Sequence, residues 1–173
     1  MAQASAAEPI TPCDAATPSA CAQTDGSTAA GVAFHEAAHA VIARDCGFRV
    51  DEVYSSSEGG WVNFTFPSQE HRDLAATDCV IQTYLAGREA WDIENGTVAG
   101  KDLAEATAIA ETAIADGLTV ETVDGIMERN RRVAADKLLT RWSEVDSLAG
   151  TILLGGEDDP VHLDGETAVA AMR

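Results

Sequence analysis

Apolar positions along most of the chain follow the period of a helix. The first helix is predicted from about Thr28 to Cys46, because small and apolar residues fill this stretch and Gly47 can end it. The next helix is predicted over residues 69–91, with Ser68 as its N-cap. Further helices are predicted over residues 101–116, 121–141 and 143–154, with a short helix at the carboxyl end.

A different pattern separates the first two helices. The segments "RVDEVYSS" and "GGWVNFTF" are rich in valine and aromatic residues, are joined by "SSEGG", and are ended by Pro67. This pattern predicts a β-hairpin or two adjacent short strands. Residues 92–100 are predicted to form a loop and residues 155–165 a turn. The predicted fold class is therefore mainly α, with one small β element.

The amino-terminal segment differs in composition from the rest of the chain. Residues 1–27 are mostly Ala, Ser, Thr, Pro and Gln with little periodicity, which predicts a disordered or loosely attached tail. Residues 28–173 are long enough for one domain with a core. Neither a secretory signal nor the roughly 20 apolar residues of a membrane span is visible, so the predicted location is cytoplasmic.

Charge and cysteine content narrow the classes of function. The formal net charge of −18 disfavours nucleic acid as a partner, because binding phosphates requires clustered Lys and Arg. Four cysteines are present without a CxxC pair, which argues against a cysteine zinc site. Cys46 and Cys79 are predicted to be small buried apolar residues. A disulfide between Cys13 and Cys21 would be unusual in a reducing compartment.

The stretch "AFHEAAHAVIA", residues 33–43, carries the first candidate chemistry. Residues four apart lie on one face of a helix, so His35 and His39 can bind one Zn²⁺. Glu36 flanks the same face and can act as general base, which completes an H-E-x-x-H motif. The alternative is a metal-free helix whose buried stripe consists of Val32, His35, His39, Ile42 and Cys46. Burying two histidines without a strong partner costs free energy, which favours the metal.

A catalytic zinc site needs a third protein ligand and an open fourth position. Asp45 and Cys46 lie about 9 and 10 Å beyond His39 along a straight helix, so both are excluded. His71, at a helix start, and His162, in the predicted turn, are weak candidates. The remaining candidates are acidic: Asp78, Glu89, Glu94, Asp102 and Glu105.

Spacing alone favours Asp102 over Glu105 only weakly. Asp102 is predicted to lie in the first turn of the helix over residues 101–116. A carboxylate in that position also stabilises a helix without any metal, through the helix dipole. The third ligand therefore stays open at this point.

"AFHEAAHAVIA" together with "VAGKDLAEATAIAETAI" resembles the peptidase domain of FtsH-type proteases, the membrane-bound AAA+ zinc proteases. "YLAGREAWD", "LLTRWSEVDSLAGTILL" and "LDGETAVAAM" resemble it more weakly, so the likeness covers residues 28–173. The resemblance implies a helical zincin-like fold, with the small sheet after the H-E-x-x-H helix. It also implies that His35, His39 and Asp102 are the zinc ligands and that Glu36 is the general base.

Some features depart from that family. Ala38 replaces the usual glycine, Trp91 stands where glutamate is usual, and neither an ATPase motif nor a membrane segment is visible. The implied function is a zinc metalloendopeptidase that hydrolyses peptide bonds in unfolded or accessible protein segments. A separate ATPase or delivery partner would then supply substrates. Because FtsH-type peptidase domains form hexameric rings, a homo-oligomer is a further implied partner.

Three alternatives to a general peptidase stay open. The chain could be a non-catalytic, zinc-stabilised interaction or adaptor domain, although the retained Glu36 argues against this. It could instead be a regulatory metallopeptidase that cuts one specific protein, or a metal-free helical domain. The strand "GGWVNFTF" is the candidate edge for binding an extended peptide. It could equally be a structural strand that packs Trp61, Phe64 or Phe66 into the core.

Overall fold

A computed structural model describes residues 28–57, 59–65, 73–90, 97–155 and 160–173, with the backbone alone at 97–100. These residues form a mainly helical fold with one small antiparallel sheet, which confirms the predicted class at this level. No helix in the described ranges has the length and apolar character needed to cross a membrane. Several predictions concern positions outside these ranges: the tail 1–27 with Cys13 and Cys21, Phe66, Pro67, Ser68, His71, Trp91 and Glu94.

The described elements follow one another with short connections. Their order is α1 (Ala29–Asp45), β1 (Arg49–Ser56), β2 (Gly59–Thr65), α2 (Leu74–Ala90), α3 (Thr97–Ala115), α4 (Val123–Thr140), α5 (Trp142–Leu154), β3 (Val161–Asp164) and α6 (Gly165–Ala171). The predicted first helix and the two strands that follow it are confirmed. The structure differs from the prediction in where α2 and α3 begin and in having the strand β3.

Helix α1 lies at the centre of the fold. Its N-cap is Thr28, whose hydroxyl accepts a hydrogen bond from the backbone N–H of Gly31 at 3.2 Å. The helix ends before Gly47, which has the positive φ of 79° that glycine adopts without steric cost. From Gly31 to Ala43 all residues are buried except Phe34. Four residues of the predicted buried stripe are therefore confirmed as buried, while Cys46 is half-buried. Burial extends beyond the stripe, because alanine side chains let neighbouring elements approach α1 on every side.

The sheet has the strand order β2-β1-β3, with β1 antiparallel to both neighbours. Val50 and Val53 are buried in the main core, while Tyr54 pairs with Trp61 on one side and His162 on the other. Strand β2 lies at an edge, and no described strand pairs with its outer side.

Strand β3 corrects the predicted turn over residues 155–165. Residues 161–164 form an extended strand that pairs with β1, so His162 lies on a strand and not in a turn. Four residues are too few to show alternation, and the partner strand lies far earlier in the chain. The sequence pattern alone therefore could not predict that residues 161–164 pair with β1.

Helix α2 begins later than the predicted residue 69. The Asp73 carboxylate accepts a hydrogen bond from the backbone N–H of Ala76 at 2.8 Å, so Asp73 occupies the N-cap position predicted for Ser68. Both residues are good caps, and the pattern of α2 did not distinguish between them.

Helix α3 begins earlier than predicted, at Thr97. The predicted loop over residues 92–100 is therefore wrong for 97–100, because Gly100 is accommodated within the helix. As a result Asp102 lies in the second turn of α3. The helix dipole acts mainly on the first turn, so dipole stabilisation does not account for this carboxylate.

Two buried clusters hold the helices that surround α1. The larger joins α1 to the sheet and to α5, with Ile42, Val53 and Leu148 almost completely buried. The smaller joins α2, α3 and α4 through Ile81, Leu85, Ala106, Ala110 and Ile126. Ala106 and Ala110 follow Asp102 at intervals of four residues, so this packing orients one face of α3 towards α2.

Candidate metal centre

The two histidines of the H-E-x-x-H motif lie next to each other on α1. His35 is 1% exposed and His39 is 6% exposed, and their Nε2 atoms are 2.9 Å apart. The two rings meet nearly at right angles, with centroids 4.5 Å apart. The spacing of four residues therefore brings two imidazole nitrogens to one point on α1.

Asp102 on α3 supplies a third atom at the same point. Its Oδ2 atom lies 3.0 Å from Nε2 of His35 and 3.2 Å from Nε2 of His39. Among the described residues, these three side chains form a group whose ligand atoms all lie within 4.8 Å of one another. A tetrahedral metal with bonds near 2.0 Å separates its ligand atoms by about 3.3 Å. The three side chains therefore fit one small metal ion.

The orientation of His39 is set by the backbone of α2. Its Nδ1 atom lies 2.6 Å from the carbonyl oxygen of Thr83, which can only accept a hydrogen bond. Nδ1 therefore carries a hydrogen, and Nε2 is the nitrogen that faces His35 and Asp102. This is the usual outer support of a metal-binding histidine. Nδ1 of His35 is buried near the backbone of Gly87, with no partner of good hydrogen-bond geometry among the described residues.

Gly87 on α2 leaves the space that both imidazole rings occupy. A Cβ atom at this position would lie 2.5 Å from Cε1 of His35 and 2.5 Å from Nε2 of His39. These distances are far below an ordinary van der Waals contact. Any larger residue at 87 would displace one or both histidines.

Glu36 lies beside the three ligand atoms and is 1% exposed. Its Oε1 atom has no hydrogen-bond partner among the described residues. Burial raises the pKa of Glu36 to about 7. The charge of His39 lowers this pKa by a smaller amount, and the charge of Asp102 raises it further. A Cβ at Gly60 would lie 2.6 Å from Cγ of Glu36 and 2.6 Å from the carbonyl oxygen of Tyr54. Glycine is therefore needed where β2 crosses this carboxylate.

Electrostatics favour the deprotonated state for two of the three candidate ligands. Burial, and then His39, lower the pKa of His35. Burial would raise the pKa of Asp102, but hydrogen bonds with the two histidines hold it well below its ordinary value. Burial also opposes charge on His39, yet its hydrogen bond with Asp102 raises the pKa of His39. A metal ion would therefore have to displace a proton from His39 as it binds.

These groups line an open cleft of about 280 Å³ between α1, α3 and β2. Lys101 and Glu105 of α3 lie at its wall with Asp102, and Tyr84 of α2 faces them. Five consecutive residues of β2 complete the lining: Gly60, Trp61, Val62, Asn63 and Phe64. A molecule that enters this cleft meets the three ligand atoms, Glu36 and the edge strand together.

The structure separates the other candidate ligands from this cluster. Asp45 binds Lys137 and Arg141, as expected from its distance along α1. Asp78 binds Arg129 and Asn130, and Glu89 lies 3.7 Å from Arg131. His162 contacts Glu52 on the exposed face of the sheet, at 2.6 Å. Of the two acids that sequence reasoning left open on α3, Asp102 joins the histidines and Glu105 lies at the rim, exposed.

Sequence reasoning missed three residues that shape the centre. Gly60 lies in the segment predicted to connect two strands, and Gly87 lies within "YLAGREAWD", where the sequence alone indicates only a family resemblance. Thr83 acts through its backbone carbonyl oxygen, which every residue possesses, so the identity of the residue at position 83 does not reveal this role. The glycines could have been suspected because they interrupt a strand and a helix, where glycine costs stability unless close packing needs it.

No protein-family model and no curated protein matches this sequence. The resemblance to FtsH-type peptidases therefore rests on the motif residues of the sequence alone.

Proposed function

We propose that this protein is a zinc-dependent endopeptidase that hydrolyses peptide bonds in unfolded or accessible protein segments. The observation that carries the proposal is the convergence of His35, His39 and Asp102 within 4.8 Å, with Glu36 beside them. Two imidazoles and one carboxylate are a ligand set that zinc peptidases use at catalytic sites.

The surroundings of the cluster favour a catalytic over a structural zinc site. Structural zinc sites are closed by four protein ligands, most often with cysteine among them. Here three side chains converge at the wall of an open cleft, and the described residues add no cysteine to the group. The burial of Glu36 without a hydrogen-bond partner for Oε1 also argues against a purely structural role.

Each residue has a distinct part in the proposed reaction. His35, His39 and Asp102 would hold Zn²⁺, which supplies a Lewis acid that polarises the peptide carbonyl and makes water more acidic. Glu36 accepts the proton of the attacking water and then donates it to the leaving amine. The Thr83 carbonyl keeps the hydrogen of His39 on Nδ1, so that Nε2 stays available.

Strand β2 is the proposed binding edge for the substrate. It lies at the edge of the sheet and contributes five consecutive residues to the cleft wall. An extended peptide can pair with such an edge through main-chain hydrogen bonds, which select for extended backbone rather than for sequence. The same strand also packs Phe64 against Phe48, with 5.9 Å between the ring centroids. The Phe64 side chain therefore has the structural role that the sequence offered as an alternative to peptide binding.

Delivery of substrates and the cellular setting belong to the same proposal. A folded protein cannot place a buried peptide bond against β2, so the substrate must be unfolded, accessible, or delivered by a separate ATPase. The likeness to FtsH-type enzymes implies a homo-oligomeric assembly, and the cytoplasmic location is the prediction made from the sequence.

The test compares the wild type with Glu36→Gln and His39→Ala. We expect one equivalent of zinc in the wild type and in Glu36→Gln, and a loss of zinc in His39→Ala. Unfolded casein and extended peptides should be cut by the wild type alone. Zinc-loaded wild type that leaves casein and a broad peptide library uncut would favour the adaptor alternative. A well-folded protein without zinc affinity would contradict the metal centre itself.

A further inference from the structure

A second group of reactive side chains lies at the other end of α1, away from the cleft. Cys46 is the C-cap residue of α1, Cys79 lies on α2 and Lys137 lies on α4. The Cys46 thiol contacts the carbonyl oxygen of Cys79 at 3.8 Å, and the Lys137 ammonium lies 3.3 Å from the sulfur of Cys46. Both cysteines are free thiols and half-buried, so the predicted full burial is corrected.

The charges around the two thiols favour one shared thiolate. A hydrogen bond between the two thiol side chains, separate from the contact with the carbonyl oxygen, lowers the pKa of Cys79 to about 7 and raises that of Cys46. Lys137 also lowers the pKa of Cys79, while burial and the carboxylates of Asp45 and Asp78 raise it. Lys137 and Arg141 both bind Asp45, at 3.1 and 2.6 Å, and so offset much of its negative charge.

We propose that Cys46 and Cys79 are a redox-active thiol pair, which a hydroperoxide converts to a disulfide that joins α1 to α2. The Cys79 thiolate attacks one peroxide oxygen and breaks the O–O bond, giving a sulfenic acid and hydroxide. The Cys46 thiol then condenses with the sulfenic acid, forming the S–S bond and releasing water. Hydroxide takes up the proton that Cys79 lost when its thiolate formed, so two thiols and one H₂O₂ give one disulfide and two waters.

The position of the pair gives the disulfide a structural consequence. The hydroxyl of Thr83 donates to the carbonyl oxygen of Cys79 at 2.9 Å, and the carbonyl oxygen of Thr83 accepts from His39. A covalent link at this point would therefore tie the end of α1 to the stretch of α2 that supports His39. It would also close a long loop in the unfolded chain, which raises the stability of the folded state.

The test uses the full chain with Cys13→Ser and Cys21→Ser, so that Cys46 and Cys79 are the only thiols. We expect hydrogen peroxide to remove both titratable thiols, a mass loss of two hydrogens, and a cross-linked peptide containing both cysteines. Dithiothreitol should restore both thiols. The oxidised form should melt about 5 °C higher than the reduced form, because the disulfide constrains the unfolded state.

Three variants on the same background serve as controls. Cys46→Ser should stop at a sulfenic acid on Cys79 that dimedone traps, and Cys79→Ser should react much more slowly. Lys137→Met should slow the oxidation roughly fivefold at neutral pH, because the nearby positive charge is lost; an unchanged rate would overturn the role of the ammonium. Persistence of both thiols in peroxide, or a sulfinic acid without a cross-link, would overturn the pair. The measurement does not depend on metal binding.

Discussion

Thr83 and Gly87 lie one helical turn apart on α2, and both act on the imidazole of His39. The carbonyl oxygen of Thr83 lies 2.6 Å from Nδ1, while Gly87 leaves free the space that Nε2 occupies. One residue therefore sets which nitrogen carries the hydrogen, and the other allows that ring to approach α2. The geometry of the candidate metal centre depends on this helix as much as on the motif itself.

Gly87→Ala is expected to weaken zinc binding by roughly 10- to 100-fold. The new Cβ would fall 2.5 Å from atoms of both imidazoles, so the rings must move out of the arrangement that converges on Asp102. Titration with zinc against a competing chelator gives the affinity, and the absorption spectrum of bound Co²⁺ reports the coordination geometry.

Gly150→Ala is the matched control for this change. Gly150 also lies within a helix, but a Cβ there meets no atom within 4 Å. It should leave zinc affinity unchanged and raise the free energy of unfolding by up to about 1 kcal/mol, as alanine favours helix. Equal zinc affinity in both variants would show that Gly87 does not position the histidines.

Asp102→Asn is expected to lower zinc affinity by about 100-fold, because the third ligand loses its charge. Glu105→Gln changes charge equally and lies on the same helix at the same cleft, so it should leave the affinity within about twofold. Isothermal titration of both variants decides between the two acids that spacing left open. If Glu105→Gln lost more zinc affinity than Asp102→Asn, the assignment of Asp102 as the third ligand would be wrong.

Leu148→Ala is expected to reduce the free energy of unfolding by about 3 kcal/mol, because a completely buried side chain is replaced by a cavity. Leu154→Ala removes the same atoms from a side chain that is 89% exposed, and should change stability by less than about 0.5 kcal/mol. Urea unfolding followed by circular dichroism measures both. Similar losses in the two variants would contradict the packing of α5 against α1.

Asp45→Asn is expected to lower stability in a pH-dependent way. Partial burial raises the pKa of Asp45, but hydrogen bonds from Lys137 and Arg141 outweigh it and hold the pKa below the ordinary 3.8. A lowered folded pKa means that the carboxylate stabilises the fold above about pH 4, and that this contribution disappears as pH falls through the folded value.

The variant should therefore be about 1 kcal/mol less stable at pH 7, with the difference vanishing as pH falls through the lowered folded pKa of Asp45. Glu128→Gln breaks two exposed ion pairs on α4, with Arg131 and Arg132, and should have the smaller effect at pH 7. Urea unfolding at several pH values measures both variants. A constant difference for Asp45→Asn at every pH would rule out an electrostatic origin.

Local features of the sequence accounted for most of the elements. The alanine-rich helix with Gly47 after it, and the aromatic strands around "SSEGG", contain their own start and stop signals. Strand β3 has no such signal, since it is stabilised by pairing with β1. The predicted start of α3 is too late, because Gly100 lies within the helix instead of preceding it.

For the candidate site, the sequence by itself determined that His35, Glu36 and His39 share one face of a helix, because that follows from helical periodicity alone. Spacing did not select between Asp102 and Glu105, although the family resemblance implied Asp102. The tertiary structure places Asp102 with the histidines and Glu105 at the rim, because of how α3 packs against α2. It likewise decided that α1 is buried on every side and that Gly60 and Gly87 adjoin the reactive groups. These are relations between elements distant in the chain, and no local pattern encodes them.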